Sequence, residues 1–520
     1  MSSVQNNSPK KEIFDNLVKL LNLKKFNELE KKLNDLLEQY PKSYPLFNLK
    51  GAYMKIIGDY DKAELAFTEA IKINNKIPDA YNNLGLVCVE QKKLDKSIEC
   101  FNNAIKINSK NPFFVNNLGN ALAQKKLFDE ALKVFEKTLS IDKKFFLALN
   151  NIGIIKYKLK KYDEAIKSFE KAIEIQENFD DPYINLGNTY FEIGEIDLAI
   201  KNYKIALEKN PKSSKAYNNL GNLLNNQGLY SEAIKNYQTS IDIKPNFSEA
   251  YNNLGNALVE LDKNEEAINA YKKSIELNPK YYESYANLAN IYSRKNDLQN
   301  AIFYYQKSHE INNSYDTALA SLIYHKMKLA DWSAVEDFKK VESNLGIKDE
   351  TIMPFYSLVM QDNPKNQMLR SINYSKQKIE KFNKKKSNIK VYQNQKIKIG
   401  YYSSDFFDHA TMYLISGLLR EHDYNKFEIY LFNYGKNKKS KLVDDTIKYV
   451  SSYKDISKMN DDEILKLSRK LQIDISIDLK GYTLNSRSKL FAYRLSPIQI
   501  NYLGYPGTLG SSFIDYIVAD

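Results

Sequence analysis

Two groups of polar residues in this 520-residue sequence are spaced to do chemistry. The first is the loop Ser403-Ser404-Asp405-Phe406-Phe407-Asp408-His409-Ala410-Thr411, which follows an apolar run and leads directly into a helical pattern. A polar loop at the carboxyl end of a strand that opens a helix is a natural anion site, because the first backbone N–H groups of a helix are unpaired and its dipole favours negative charge. The second group is a column of asparagines at a period of 34: Asn83, Asn117, Asn151, Asn185, Asn219, Asn253 and Asn287. A carboxamide both donates and accepts. A row of them could therefore grip the main chain of an extended peptide whatever its side chains. The competing reading is that each asparagine bonds to an adjacent repeat. Taken alone, Asp405 and His409 also fit a turn or a helix cap.

The elements that would carry the asparagines repeat at the same period. Two residues after each of them stands a glycine or alanine: Gly85, Gly119, Gly153, Gly187, Gly221, Gly255 and Ala289, with Gly51 opening the series after Leu49. Twelve residues after each comes a small side chain, from Ala63 to Ala301, and sixteen after comes an aromatic ring, from Phe67 to Tyr305. Nineteen after, the side chain is again small, and Pro211, Pro245 and Pro279 stand where the second helix should stop. Two helices with short turns fill such a period, and neither pair can bury its apolar face alone, so neighbours must stack. Eight clear units span 44–315, with degenerate units before and after them. The leucines Leu17, Leu29, Leu33 and Leu36 with Pro41 mark the first of these.

After Lys396 the pattern changes to short apolar runs: Ile397 to Ser403, Phe427 to Asn433, Asp474 to Leu479, Ile498 to Gly504 and Asp515 to Asp520. These read as buried parallel strands, with helices over Thr411 to Glu421 and Asp461 to Leu471. Such doubly wound sheets hold ligands at the carboxyl ends of their strands.

A net charge of +12 invites a nucleic-acid reading, but the lysines are interleaved with acidic residues, and the densest basic run, Lys381 to Lys390, falls in an expected linker. Nothing approaches the apolar length of a membrane span. Two cysteines, Cys88 and Cys100, make no disulfide framework, and no zinc-ligand spacing occurs. A reducing cytoplasm is the expected setting.

Tandem units of this kind resemble tetratricopeptide repeats. Followed by SSDFFDHATMYL and then Gly504-Tyr505-Pro506-Gly507-Thr508, the array is similar to the O-linked N-acetylglucosamine transferases, glycosyltransferase family 41. The resemblance implies an all-α tetratricopeptide-repeat superhelix followed by an α/β Rossmann-like lobe, the first half of a GT-B glycosyltransferase. The expected organisation is a disordered tail over 1–9, repeats over 10–349, a linker over 350–395 and the first catalytic lobe over 396–520. The implied reaction transfers N-acetylglucosamine from UDP-GlcNAc to Ser or Thr of proteins held by the repeats, with no cofactor and no metal ion.

The resemblance places Asp405 where the base is proposed, with His409 and Thr411 beside the sugar. Asp408 stands where animal members carry Asn, and Leu503, Gly504 and Pro506 match the loop that packs on the sugar. Tyr482 and Arg487 match a second motif lining the site. A His pair of the animal enzymes is replaced by Pro354-Phe355-Tyr356-Ser357. The family's second lobe holds most of the nucleotide, so the expectation for these 520 residues alone is little or no activity. The alternatives are a non-catalytic repeat adaptor and an O-fucosyltransferase that uses GDP-fucose. Expected partners are protein substrates and a nucleotide sugar, with a homodimer left open and no membrane.

Overall fold

The computed structural model describes residues 8–348, 350–380, 391–435, 439–483, 485–505 and 507–518. Most of the expected N-terminal tail (residues 1–7), the basic run 381–390 and Pro506 therefore lie outside the described residues. The molecule divides into two compact units, residues 1–189 and 190–520.

The described residues of the first unit form helices joined by short turns. A degenerate pair, Lys11–Asn22 and Phe26–Gln39, precedes regular pairs that begin with Tyr44–Ile56 and Tyr60–Ile73 and continue to Phe146–Lys158 and Tyr162–Ile175. The 34-residue columns now have physical causes. The ring sixteen residues after the glycine packs directly against it at Gly51, Gly85, Gly119, Gly153, Gly221 and Gly255. A Cβ on Gly51 would stand 2.7 Å from Phe67, and one on Gly119 would stand 2.5 Å from Phe135. These rings and the alanines Ala63, Ala131 and Ala165 are wholly buried. The turn between the paired helices needs a left-handed residue, and Gly58, Lys92, Lys126 and Lys160 adopt φ of 84°, 59°, 64° and 59° there.

The second unit continues the pairs from Ile196–Lys209 to Leu298–Ile311 and ends them with Asp316–Lys328 and Ser333–Val341. Second helices stop at Lys209, Ile243 and Leu277, two residues short of each expected proline. The ring column becomes tyrosine, and three of the hydroxyls find an asparagine: Tyr237 Oη donates to Asn222 Oδ1 at 2.7 Å, Tyr271 Oη to Asn256 Oδ1 at 2.7 Å, and Tyr305 Oη to Asn290 Oδ1 at 2.5 Å.

The lobe in this unit is a six-stranded parallel sheet in the order β3-β2-β1-β4-β5-β6. Its strands are β1 (Ile397–Ser403), β2 (Phe427–Asn433), β3 (Ser452–Asp455), β4 (Ile475–Asp478), β5 (Ile498–Tyr502) and β6 (Tyr516–Val518). Helices Ala410–Glu421, Lys441–Thr446, Asp461–Leu471 and Lys489–Ala492 connect successive strands. Alternation splits the core between the two faces: Tyr401, Ile429 and Met412 pack on one, Tyr402, Phe432 and Ile464 on the other. β3 had no apolar run to announce it, and β6, expected to be buried, is an edge strand with Tyr516 62% exposed.

The expected linker is partly folded. Helices Pro354–Leu358 and Pro364–Tyr374 continue into a π-turn, Ser375–Ile379, and Phe355, Tyr374 and Ile379 join the lobe core. Arg370 is fully buried, with its guanidinium donating to Leu345 O (2.9 Å), Gln361 Oε1 (2.8 Å) and Glu342 O (2.7 Å). Lys489 donates to the carbonyl of Asn226, the last residue of the repeat helix Ser214–Asn226, and pairs with Asp461 at 2.9 Å.

Candidate active site

The strand order reverses between β1 and β4, which start chains winding in opposite directions. Ligands sit outside the carboxyl ends of strands at such a switch. Here the ends of β1, β4 and β5 bring three loops together. Asp405 follows β1 and is 7% exposed. Its Oδ2 lies 2.6 Å from Lys480 Nζ, and Ser404 Oγ donates to its Oδ1 at 2.9 Å. The backbone N–H of Asp405 donates to Ser403 Oγ at 3.0 Å. Both carboxylate oxygens are therefore held, and the side chain cannot swing.

Lys480 follows β4, and its backbone N–H donates to Asp478 Oδ1 at 2.9 Å. Asp478 is completely enclosed, and burial pushes its carboxyl above the usual carboxylate range. Gly504, after β5, lies so close to this turn that a Cβ would stand 1.6 Å from Leu479 O and 2.9 Å from the Cα of Lys480. Only glycine fits, and Leu503 before it takes a left-handed φ of 71°. The Leu503–Gly504 loop is thereby set against the Asp405–Lys480 pair. Pro506, the third residue assigned to this loop, is outside the described residues.

His409 caps the Ala410–Glu421 helix. The backbone N–H of Thr411 donates to His409 Nδ1 at 3.2 Å, and Thr411 Oγ1 is 3.1 Å from the same nitrogen. A backbone N–H can only donate, so Nδ1 carries its lone pair there, and the neutral ring bears its proton on Nε2. Nδ1 is also 3.7 Å from Asp405 Oδ2, and the side chain is 42% exposed. The arrangement is a half-open imidazole with an N–H to offer, beside a fixed carboxylate and a buried ammonium.

The remaining expected residues lie otherwise. Asp408 Oδ1 accepts from Ser440 Oγ at 2.6 Å, and Ser440 caps the Lys441–Thr446 helix, so Asp408 ties the loop down. Tyr482 is 2% exposed and packs among Tyr374 and Tyr505, with ring centroids 4.9 and 5.8 Å away. Arg487 is engaged by the Asp461 carboxylate and by Met459 O at 3.2 Å. Lys480 is the functional candidate that sequence reasoning missed. Its only signal is a lysine directly after an apolar run, and it becomes meaningful once β4 is known to neighbour β1.

The asparagine column makes the inter-repeat bond of the competing reading. Nδ2 of five of the seven donates to Oδ1 of an asparagine 35 residues earlier: Asn117 to Asn82 (2.8 Å), Asn151 to Asn116 (3.1 Å) and Asn185 to Asn150 (2.9 Å) in the first unit. Asn253 to Asn218 and Asn287 to Asn252 follow in the second unit, both at 3.0 Å. Asn83 and Asn219 sit half-buried in the same column. One N–H and at least one lone pair of each donor amide remain for another partner. Among the described residues, no three His, Cys, Asp or Glu side chains gather as a metal site.

Fold and site together define a tetratricopeptide-repeat protein that carries a parallel α/β lobe with a polar cluster at its switch point. The matches are more particular. Residues 364–520 match the model of glycosyl transferase family 41, and segments within 78–303 match tetratricopeptide repeat models. A probable UDP-N-acetylglucosamine–peptide N-acetylglucosaminyltransferase SEC of Arabidopsis thaliana is 34% identical over 124 residues, 24% of this chain and 13% of that protein. The corresponding transferase of Caenorhabditis elegans is 37% identical over 130 residues, 24% of this chain and 11% of that protein. The Arabidopsis SPINDLY protein is 34% identical over 127 residues, covering 24% and 14%. The matched stretch thus spans about an eighth of these relatives. A solved Thermobaculum terrenum O-GlcNAc transferase mutant overlaps 66% of this chain and 53% of its own, at 18% identity and a TM-score of 0.30.

Proposed function

We propose that this chain serves the transfer of N-acetylglucosamine from UDP-GlcNAc to Ser or Thr hydroxyls of proteins laid along its repeats. The observation that carries the reading is the Asp405–Lys480–His409 cluster at the switch point of a lobe that matches glycosyl transferase family 41. An attacking hydroxyl must lose its proton as the bond to the anomeric carbon forms, and the leaving diphosphate gains charge. In this reading Asp405 is the fixed negative charge toward which that proton moves. His409 offers its Nε2–H to an oxygen of the donor, and Thr411 and the Leu503–Gly504–Pro506 loop bound the sugar. Asp408, Tyr482 and Arg487 hold the loops that do so. The charges come from the protein, without a metal ion.

The repeats form a protein-interaction surface, and we assign the substrate's main chain to the asparagine column. The setting we infer is a reducing cytoplasm: both thiols, Cys88 and Cys100, are free and buried, and among the described residues no helix is long and apolar enough to cross a membrane. The test is calorimetric titration with UDP-GlcNAc, UDP and GDP-fucose. Saturable binding of UDP-GlcNAc that weakens in Asp405→Asn supports the reading. Preference for GDP-fucose transfers it to fucose. No binding of any donor at millimolar concentration, with peptide still captured, replaces it by the adaptor that the length of the repeat array also fits.

A further inference from the structure

The asparagines that receive the inter-repeat bonds form a second column, one residue before the first: Asn82, Asn116, Asn150, Asn218 and Asn252. The last four are nearly or wholly buried, at 4%, 6%, 1% and 4% exposure. They touch no groove ligand directly. In the second unit they also donate forward, Asn218 Nδ2 to Asn219 Oδ1 and Asn252 Nδ2 to Asn253 Oδ1, both at 3.4 Å. The result is one unbroken line of amides, Asn287 to Asn252 to Asn253 to Asn218 to Asn219, in which each donates an N–H to the carboxamide oxygen of the next. Its sense is anchored by a group that can only accept: Asn218 Nδ2 also donates to Glu249 Oε1 at 3.1 Å, which fixes the amide's nitrogen and turns its oxygen toward Asn253. At the next step Ser284 Oγ donates to Asn252 Oδ1 at 3.1 Å, which fixes that oxygen too.

We propose that Asn218 and Asn252, with Asn116 and Asn150 in the first unit, are positioning residues for peptide recognition. They rotate the carboxamides of Asn151 and Asn185 in the first unit, and of Asn253 and Asn287 in the second, so that within each unit these present their remaining N–H and lone pair in one common sense. The inference rests on the assignment of a peptide main chain to the first asparagine column. A main chain offers its own N–H and C=O groups in a fixed alternation. A row of amides locked in one sense meets it without first having to order, and aligned amides polarise one another.

The test uses the whole chain and a fluorescein-labelled synthetic Ser/Thr/Pro peptide, read by fluorescence anisotropy. Asn218→Leu and Asn252→Leu keep side-chain size, remove the polar atoms and leave every groove asparagine in place. Glu249→Ala, at an exposed position, frees the amide of Asn218 without touching the core. The expected result is roughly tenfold weaker binding in each Leu variant and a few-fold loss in Glu249→Ala. The NMR signature is local: the side-chain amide of Asn253 should exchange faster in Asn218→Leu, while that of Asn287 stays protected. Unchanged affinity in the variants, with the Asn253 signal altered and with binding lost when Asn185, Asn219 and Asn253 become Ala, overturns the positioning role and leaves the groove assignment standing. Unchanged affinity in that triple variant, or no binding by the wild type, overturns both.

Discussion

At the residue scale the Asp405–Lys480 pair decides most. Both side chains are about one-tenth exposed and 2.6 Å apart, so each charge depends on the other. Removing one partner strands a buried charge, which costs about 3–5 kcal/mol, whereas removing both is far milder. Lys480→Met should therefore lower unfolding stability sharply in urea titration, and the double variant with Asp405→Asn should recover most of the loss. A second residue gives a pH signature. His325 is 1% exposed; its Nδ1–H donates to Ser321 O at 2.7 Å, and its Nε2 accepts from Ser293 Oγ at 2.6 Å. Burial holds this ring's pKa below its ordinary 6.5. The unfolded chain then binds the proton more readily than the folded one, so stability present above pH 6.5 is lost as pH falls below that value. Thermal unfolding across that window should show the decline, and His325→Gln should flatten it.

At the element scale the repeat is a ring clamped on a glycine. A methyl group at Gly119 would meet the Phe135 ring at 2.5 Å inside a helix, where the ring has no free space to enter. Gly119→Ala should cost about 1–3 kcal/mol through overpacking, measured by denaturant titration. The turn column predicts the opposite sign. Lys126 holds φ of 64°, a region that disfavours side chains, so Lys126→Gly should raise stability by about 0.5 kcal/mol. The helix pairs themselves were legible because their causes are local and recur every 34 residues. The strand Ser452–Asp455 was not, because an edge strand half open to water needs no apolar alternation.

At the scale of the whole molecule, the segment before β1 belongs to the lobe rather than hanging between parts. Phe355, Tyr374 and Ile379 pack it into the lobe core, and Arg370 ties the same segment to the end of the repeats through three acceptors, two of them the backbone carbonyls of Glu342 and Leu345. Arg370→Ala would leave these acceptors dry and unpaired, a cost of about 3 kcal/mol or more. Differential scanning calorimetry should record it as an earlier transition, with the far-ultraviolet signal of the repeats intact below it.

What the sequence by itself determined is the repeat architecture, the runs that became β1, β2, β4 and β5, and the polar loop that opens the Ala410–Glu421 helix. Each follows from residues near one another in the chain, where periodicity and apolar length are sufficient signals. Only the tertiary structure decided which groups meet. Strand order placed Lys480 on Asp405 across 75 residues, and the close approach at Gly504 set the third loop beside them. Stacking joined five of the seven asparagines to a second column 35 residues earlier. Packing within the lobe set Arg487, which the family resemblance assigned to the substrate site, on Asp461. Charge pairing and amide orientation are settled by neighbours in space, and no spacing along the chain encodes which neighbour that will be.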